Sequence, residues 1–305
     1  MFPTLIKHHP LSAFVAGAIL ATVLLGHADR AEAATVAVTN CKDAGPGSLR
    51  AAVASASSGD IVDLSLRHCT ILLTTGEIAV PQQDLRLIGS GADTLTLTTG
   101  FRTRVLNHSG TGTLSVERLS IIDSSSHAQI FYEYAGCILS TGSVELHHAR
   151  LHDCSAWGIP DPDCESVCST SDAGAIGASG DVLLSYSTIS DSSASGYYSS
   201  GGAVSAGGWL TLYRSRLLRN GADVGGAASV HGFTAVESLV ADNSGYDGGA
   251  VQVGDAFGGY GPADIRNSTF TGNRSATCPA LCAGDARIIN STFSRNGGME
   301  VRRFR

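Results

Sequence analysis

Short apolar segments recur along the chain at intervals of a few tens of residues. Val182-Leu183-Leu184 and Leu210-Thr211-Leu212 are two of them, and a second apolar position flanked by Ser or Thr follows each, as in Ser187-Thr188-Ile189. The apolar period is two, which is typical of strands and not of helices. A small-residue element precedes most of these segments. These elements are Gly136-Cys137-Ile138, Gly174-Ala175-Ile176, Gly202-Ala203-Val204, Gly226-Ala227-Ala228 and Gly249-Ala250-Val251.

A column of small polar residues follows three residues after the second apolar position. Its members are Ser124, Cys154, Ser192, Asn220, Asn243, Asn273 and Asn296. A bare repeat of about 23 residues is too short for a four-stranded propeller blade, which needs about 40. The repeat predicts an all-β chain, a parallel β-helix, in which Gly and Ala lie at tight corners. We expect the Asn amides to bond along the stack and to otherwise unpaired backbone groups.

The repeats predict one domain over residues 34–305, with an N-terminal cap at 34–60 and coils at 61–305. At about 25 residues a coil, this length holds roughly nine or ten coils. The cap contains a short amphipathic helix, because Leu49, Ala52 and Val53 share one helical face and Ser48 is a good N-cap. Gly59 is the expected terminator of that helix.

The cap segment Gly45-Pro46-Gly47-Ser48-Leu49-Arg50-Ala51-Ala52-Val53 resembles the N-terminal cap of secreted bacterial right-handed parallel β-helix proteins. In many of these a Cys directly precedes the Ser-Leu-Arg, where Gly47 stands here. The repeats resemble those of the chlamydial polymorphic outer membrane proteins, which carry G-G-A-I and F-x-x-N motifs. The matching segments are Gly201–Val204, Gly248–Val251, Phe270–Asn273 and Phe293–Asn296. The resemblance implies a right-handed solenoid, exposed at a surface and used for adhesion.

Residues 1–33 have the pattern of a secretory signal peptide. Lys7 precedes an apolar run over residues 11–26, and Ala31-Glu32-Ala33 offers a small-residue cleavage site. The run of about 16 residues is shorter than the roughly 20 that span a bilayer. We expect cleavage and export to the medium, the cell surface or the periplasm, with an uncleaved anchor as the alternative. We expect no membrane span in the mature chain.

The eight cysteines all lie in the exported part, which favours disulfides. Two pairs are local, Cys164/Cys168 and Cys278/Cys282, and the remaining candidates are Cys41/Cys69 and Cys137/Cys154. The alternative for the two local pairs is a single four-cysteine zinc site. We expect no resident metal or cofactor.

The formal net charge is −7, with 15% charged residues and 37 glycines. This charge argues against nucleic acid and anionic membranes as partners. Carboxylates recur before the polar column, at Asp123, Asp153, Asp191 and Asp242. They fit turn residues, and the alternative is a pair for glycoside hydrolysis. Two weaker candidates for metal binding are the acidic loop 161–165 and the histidines. These histidines are His147, His148 and His152.

Aromatic residues near the insertions between coils are the candidate binding surface, since exposed rings beside a rigid scaffold grip sugars and proteins. They are Trp157, Tyr197, Tyr198, Trp209, Phe257 and Tyr260. The sequence predicts a non-catalytic, adhesin-like or glycan-binding scaffold, with surface glycans or host or cell-surface proteins as partners. The alternative is a carbohydrate-active enzyme, a polysaccharide lyase or a glycoside hydrolase, on the same fold.

Overall fold

A computed structural model describes residues 33–127, 132–133, 135–158, 170–171, 173–196, 199–254 and 259–298. A compact unit runs from Ala33 to Arg305. The predicted signal segment lies, but for Ala33, outside the described residues. In the described part of the chain, no helix is long and apolar enough to cross a membrane.

The strands of the described chain form three faces, and the chain visits them in the same order in each coil. The first face contains Ile78–Val80, Leu106–His108, Ile138–Ser140, Ile176–Ala178, the starts of Val204–Tyr213 and Ala228–Val236, Val251–Val253, and Leu281–Cys282. The second contains Thr35–Ala37, Ile61–Asp63, Leu85–Ile88, Thr113–Glu117, Ser143–His147, Val182–Ser185, the ends of Val204–Tyr213 and Ala228–Val236, Ala263–Arg266, and Ala286–Ile289. The third contains Cys69–Leu72, Leu95–Thr98, Ser120–His127, Arg150–Trp157, Thr188–Ser190, Arg216–Leu218, Leu239–Ala241, Thr269–Thr271 and Thr292–Ser294.

Pairing between these strands is parallel throughout the three faces. The first two faces join into a 16-stranded sheet, because Val204–Tyr213 and Ala228–Val236 run through both, and the third is a 10-stranded sheet. Ser193–Ser195 pairs with the end of Arg150–Trp157, and Tyr132–Glu133 pairs with Thr170–Ser171. The architecture is all-β and consistent with the predicted parallel β-helix.

The register of the third face matches the spacing of the sequence repeat. Arg150 pairs with Thr188, Thr188 with Arg216, and Arg216 with Leu239. Each residue therefore lies about 4.8 Å from its counterpart in the next coil. Alternate side chains of each strand point inward. The central inward column of this face is fully buried in all coils but the last, where Phe293 follows Phe270 and is 38% exposed. Its buried members are Ile71, Leu97, Ile121, Leu151, Ile189, Leu217, Val240 and Phe270.

The asparagine column forms the predicted hydrogen-bond ladder inside the solenoid. The backbone N–H of Asn220 donates to Oδ1 of Asn243 at 2.9 Å, and that of Asn243 donates to Oδ1 of Asn273 at 3.0 Å. The side-chain amide of Asn243 donates to Asn273 Oδ1 at 3.0 Å and to the carbonyl of Leu217 at 3.1 Å. Each amide thus satisfies backbone groups at a buried bend where the strands leave them unpaired.

A second ladder, of serines, lies at the bend between the second and third faces. The hydroxyl of Ser238 donates to the carbonyl of Val236 at 2.8 Å and accepts the backbone N–H of Ser215 at 3.1 Å. Ser215 and Ser268 repeat the arrangement in the coils on either side. The sequence showed these serines beside the apolar positions, but their bonding role was not predicted.

The small-residue elements lie at the corner before the first face, as predicted. A Cβ on Gly202 would collide with the carbonyl oxygen of Gly226, and one on Gly226 with that of Gly249. The following alanines, Ala203 and Ala227, are fully buried. Only the smallest residues fit here, because successive coils bring their backbones into contact.

The predicted capping helix spans Leu49–Ser55 and contacts the first strands of the solenoid. Ser48 is its N-cap, and its hydroxyl accepts the backbone N–H of Ala51 at 3.2 Å. The buried side chains are Leu49, Ala52 and Val53. The prediction that Gly59 ends the helix is wrong: the chain becomes extended at Ala56, and Gly59 turns with a φ of +89° three residues later.

In the described residues, three disulfides connect Cys41 with Cys69, Cys137 with Cys154, and Cys278 with Cys282. These are three of the four pairs that the sequence suggested. Because Cys278 and Cys282 are bonded to each other, they are not available as thiolate ligands, so the predicted alternative of a four-cysteine zinc site is wrong. Cys164 and Cys168 lie outside the described residues.

We predict that Asn243→Ala destabilises the protein by about 3 kcal/mol, because four hydrogen bonds are lost and buried partners are left unpaired. Asn296→Ala is the control at the half-buried end of the ladder, where water can replace the amide, and its effect is smaller. Denaturant unfolding of both variants measures the difference. Equal losses of unfolding free energy would show that the interior ladder has no special role.

Candidate ligand-binding face

The third face presents two outward columns of side chains in its middle coils. Arg150, Thr188 and Arg216 are neighbours in one column, with Leu239 in the next coil. His152, Ser190, Leu218 and Ala241 form the other column. Because the strands are parallel and in register, side chains of one column project in the same direction, one coil apart. This surface is bordered by a turn at each end of its strands.

Residues in left-handed backbone conformation form the border next to the second face. His148, Tyr186, Arg214 and Glu237 occupy it in successive coils, with φ values of 52°, 52°, 49° and 50°. This conformation is uncommon for residues other than glycine, and here each residue directly precedes a tight bend. The bend turns these side chains outward. We call this set, together with Tyr213, the aromatic ridge.

The side chains of the aromatic ridge stack on one another along the solenoid. The rings of His148 and Tyr186 are parallel, with centroids 4.8 Å apart. The rings of Tyr186 and Tyr213 meet edge to face at 5.5 Å. The guanidinium of Arg214 lies 5.6 Å from the Tyr186 ring centroid and 5.3 Å from that of Tyr213. Such contacts hold the rings in place although Tyr186 is 43% exposed.

Polar bonds fix Arg214 at the centre of the ridge. Its Nε donates to Oε2 of Glu237 at 2.6 Å, and one terminal nitrogen donates to the Tyr186 hydroxyl oxygen at 2.9 Å. The hydrogen bond from Arg214 to Glu237 raises the pKa of the guanidinium, which is therefore charged at any physiological pH. The ridge combines ring faces, a fixed cation and a carboxylate on an exposed edge.

The predicted carboxylate column forms the opposite border of the third face. Asp123, Asp153, Asp191 and Asp242 all have left-handed φ values, between 49° and 58°. Asp adopts this conformation more readily than most residues. Arg219 takes the same place in its own coil, with a φ of 53°. The column is therefore a series of turn residues at one bend of each coil.

His152 joins two of these carboxylates. Its Nε2 lies 3.1 Å from Oδ2 of Asp153, and its Nδ1 lies 3.2 Å from Oδ2 of Asp191 in the next coil. Nδ1 is also 3.0 Å from the hydroxyl of Ser190. Two guanidinium nitrogens of Arg219 donate to the two oxygens of Asp191, each at 2.6 Å. The cluster is partly exposed and contains both acidic and basic side chains.

Hydrogen bonds from Arg219 lower the pKa of Asp191, and burial opposes this effect only in part. The carboxylate is therefore ionised in the folded chain at a lower pH than in the unfolded chain. This difference stabilises the fold above the unfolded-state pKa. The stabilisation is lost as the pH falls through the folded-state pKa.

The three described aromatic residues of the predicted binding surface do not lie together. Trp157 ends the strand Arg150–Trp157 on the third face, and its side chain is 51% exposed. Trp209 and Tyr260 lie on the other side, near the corner between the first and second faces. Tyr197 and Tyr198, with Phe257, lie outside the described residues.

Trp209 packs against the solenoid. A Cβ on Gly232 would collide with the Trp209 ring, so the glycine makes space for it. The backbone N–H of Trp209 donates to Oδ1 of Asp181 at 2.7 Å. Next to the ring is an open cavity of about 420 Å³, also lined by Pro262 and Arg287. The ring is 39% exposed, so one part is structural and the other accessible.

The histidines do not form a common metal site. His147 lies on the second face, with Nε2 3.1 Å from Oε2 of Glu145, whereas His148 stacks on Tyr186. Among the described residues, no group of three or more His, Cys, Asp and Glu side chains is placed to hold a metal ion. The acidic loop 161–165 lies outside the described residues.

No protein-family model, curated protein or solved structure matches the chain. The resemblance of its repeats to the chlamydial proteins therefore remains a prediction from the motifs.

Sequence reasoning missed Tyr186, Tyr213 and Arg214 as surface residues. A signal was present in the sequence. Tyr186 directly precedes Ser187 and Arg214 directly precedes Ser215, and both serines belong to the repeat. That shared position places the two side chains in one column. The predicted surface residues lie mostly in or near the insertions, whereas Tyr186, Tyr213 and Arg214 lie in the repeat itself.

We predict that Arg219→Gln raises the pKa of Asp191 towards its ordinary value near 3.8, because the donor that favours the carboxylate is weakened. Carbon-detected NMR titration of the Asp191 carboxyl measures the shift. Arg295→Gln, at the equivalent turn of the last coil, is the control and leaves the Asp191 titration unchanged. An unaltered pKa in Arg219→Gln would contradict the interpretation.

Proposed function

We propose that the protein is an exported, right-handed parallel β-helix that binds glycans through its third face, as a secreted or cell-surface adhesin-like scaffold. The observation that carries this proposal is the aromatic ridge. It places two exposed tyrosine rings and a histidine ring beside a fixed arginine and a carboxylate. Cell-surface proteins are the other class of ligand that such a surface fits.

Ring faces and paired charges match the chemistry of a sugar. The C–H face of a pyranose ring packs on an aromatic ring, and its hydroxyls exchange hydrogen bonds with charged side chains. The Tyr186 ring, the Arg214 guanidinium and the Glu237 carboxylate offer these groups within adjacent coils. Because stacking already orders them, little side-chain entropy is lost on binding.

Export is supported by features at a distance from this face. Residues 1–33 have a signal-peptide pattern, and three disulfides join cysteines of the described chain. The motifs shared with secreted bacterial β-helix proteins and with the chlamydial surface proteins support right-handed coils and a role in adhesion. A bacterial origin agrees with both resemblances.

We predict that Tyr186→Ala weakens glycan binding about tenfold, the effect of losing about 1.4 kcal/mol of stacking. The measurement is a glycan array followed by calorimetry on the strongest ligand. Tyr246→Ala is the matched control, because Tyr246 is 61% exposed and lies outside the aromatic ridge. Equal glycan binding by the two variants would rule out the aromatic ridge as the binding site. Binding to a cell-surface protein, with no binding to any glycan, would show that the ligand is a protein.

A carbohydrate-active enzyme is the second candidate, favoured by the position of His152 between Asp153 and Asp191. In such a site one group transfers a proton while a neighbouring group stabilises charge.

If this second candidate is right, the protein releases products from one member of a polysaccharide panel, detected as reducing ends or unsaturated uronates. Asp191→Asn then abolishes release, whereas Asp123→Asn, in the same turn column, retains it. Absence of product, or equal product from both variants, excludes this site as catalytic.

A further inference from the structure

We infer that the glycan is acidic, and that Arg150 and Arg216 bind its carboxylate or sulfate groups on either side of Thr188. This inference rests on the proposed function and adds the chemical class of the ligand. It concerns side chains on the strands of the third face, which lie beside the aromatic ridge and do not belong to it.

The register places the two arginines two coils apart in one outward column. Arg150 pairs with Thr188, and Thr188 pairs with Arg216. Two steps of about 4.8 Å give a separation of about 9.6 Å between their Cα atoms. The shorter Thr188 side chain lies between them and is partly exposed. An anionic group in this space can accept hydrogen bonds from both guanidiniums and from the hydroxyl.

Arg216 is available to a ligand. It is exposed, and it forms no ion pair within the described part of the chain. The other two arginines of its coil are engaged: Arg214 binds Glu237, and Arg219 binds Asp191. A free guanidinium between two engaged ones can bind a carboxylate or sulfate with two parallel hydrogen bonds.

Arg150 is also within reach of a ligand. One of its terminal nitrogens lies 3.0 Å from Oδ1 of Asp93, but the two side chains are 48% and 83% exposed. Ion pairs this exposed contribute little to stability. An anionic sugar that contacts Arg150 can therefore replace Asp93 at small cost.

The outward strand positions around these arginines are free of competing carboxylates. In the column of Arg150 and Arg216 the neighbours are Ser120, Thr188, Leu239 and Thr269. In the adjacent column they are Ile122, His152, Ser190, Leu218, Ala241 and Thr271. The acids nearest to the two arginines are Asp93, which pairs with Arg150, and Asp191 and Glu237 at the turns, which are bound by other arginines. An anion between Arg150 and Arg216 therefore meets two cations with little local repulsion.

The net charge of the chain restricts the anionic ligands that these two arginines can bind. The chain has a formal net charge of −7, so it does not attract polyanions in general. Nucleic acid needs a wide positive surface to displace its counterions. Two arginines, a hydroxyl and neighbouring rings instead fit a sugar that carries one negative group at intervals along its chain.

The test compares three oligosaccharides of equal length, one with uronate groups, one with sulfate groups and one neutral, on the full chain by calorimetry. We expect an acidic oligosaccharide to bind at least about tenfold more tightly than the neutral one, a difference of 1.4 kcal/mol. Its affinity falls to the neutral level in the double variant Arg150→Gln and Arg216→Gln. The difference in affinity between the uronate and the sulfate oligosaccharides identifies which anionic group is bound.

Arg274→Gln is the matched control, because Arg274 is exposed and lies on another bend of the solenoid. It removes one positive charge without changing the acidic preference. Single variants at Arg150 and Arg216, checked for an unchanged melting temperature, show whether both contribute.

Each remaining outcome has a distinct meaning. If neutral and acidic sugars bind equally and Tyr186→Ala weakens both, the acidic preference is refuted and glycan binding stands. If no sugar binds, both proposals fail. If single-stranded DNA binds as tightly as the acidic sugar, the third face is a general polyanion site and the inference is overturned.

Discussion

The in-register stacking of coils is the constraint on which the rest of the structure depends. In each coil the chain must bend between strands and still enter the next strand in register with the neighbouring coil. Backbone groups at the bends lose their strand partners, and the buried asparagine and serine side chains bind them instead. Without these bonds, each bend would contain buried unsatisfied groups, a cost repeated in every coil.

The same register creates the surface. Because a buried ladder fixes the height of every coil, side chains at equivalent outward positions lie in columns with a known spacing. Arg214 can contact Tyr186 in the preceding coil and Glu237 in the following one only for this reason. The bends also require left-handed backbone, which turns one side chain outward in each coil. The left-handed backbone that the bends require therefore places the residues of the aromatic ridge at the surface.

Repetition made much of the fold predictable. Asn220, Asn243 and Asn273 occur at one repeated position, so their ladder could be inferred before the strands were located. Local spacing suggested the disulfide between Cys278 and Cys282, whereas Cys41–Cys69 and Cys137–Cys154 were only candidate pairs among many possible connectivities. By contrast, the end of the capping helix is contacted by another chain segment: the side-chain amide of Gln82 donates to the carbonyls of Val53 and Ala56. Such a contact leaves no local pattern.

The candidate site was less predictable, because its contacts join residues from different coils whose lengths differ. The stacking of His148 on Tyr186 spans a longer coil than the contact of Arg214 with Glu237, and insertions between coils hide the shared position. Trp209 is accessible in part, yet Gly232 shows that the solenoid is shaped to hold it. Exposure of an aromatic ring therefore does not by itself identify a binding residue.

Many polar residues of the described chain have structural roles, which leaves fewer candidates for function. The buried asparagines and serines satisfy bends, and the recurring aspartates occupy left-handed turns. On the third face, few side chains remain without such a role: the rings of the ridge, and Arg150 and Arg216 beside Thr188. The bends determine where the ridge residues lie. By contrast, nothing in the coil requires arginine at this strand position, where neighbouring coils have threonine or leucine. Arginine at these two positions is therefore better explained by what it binds than by what it stabilises.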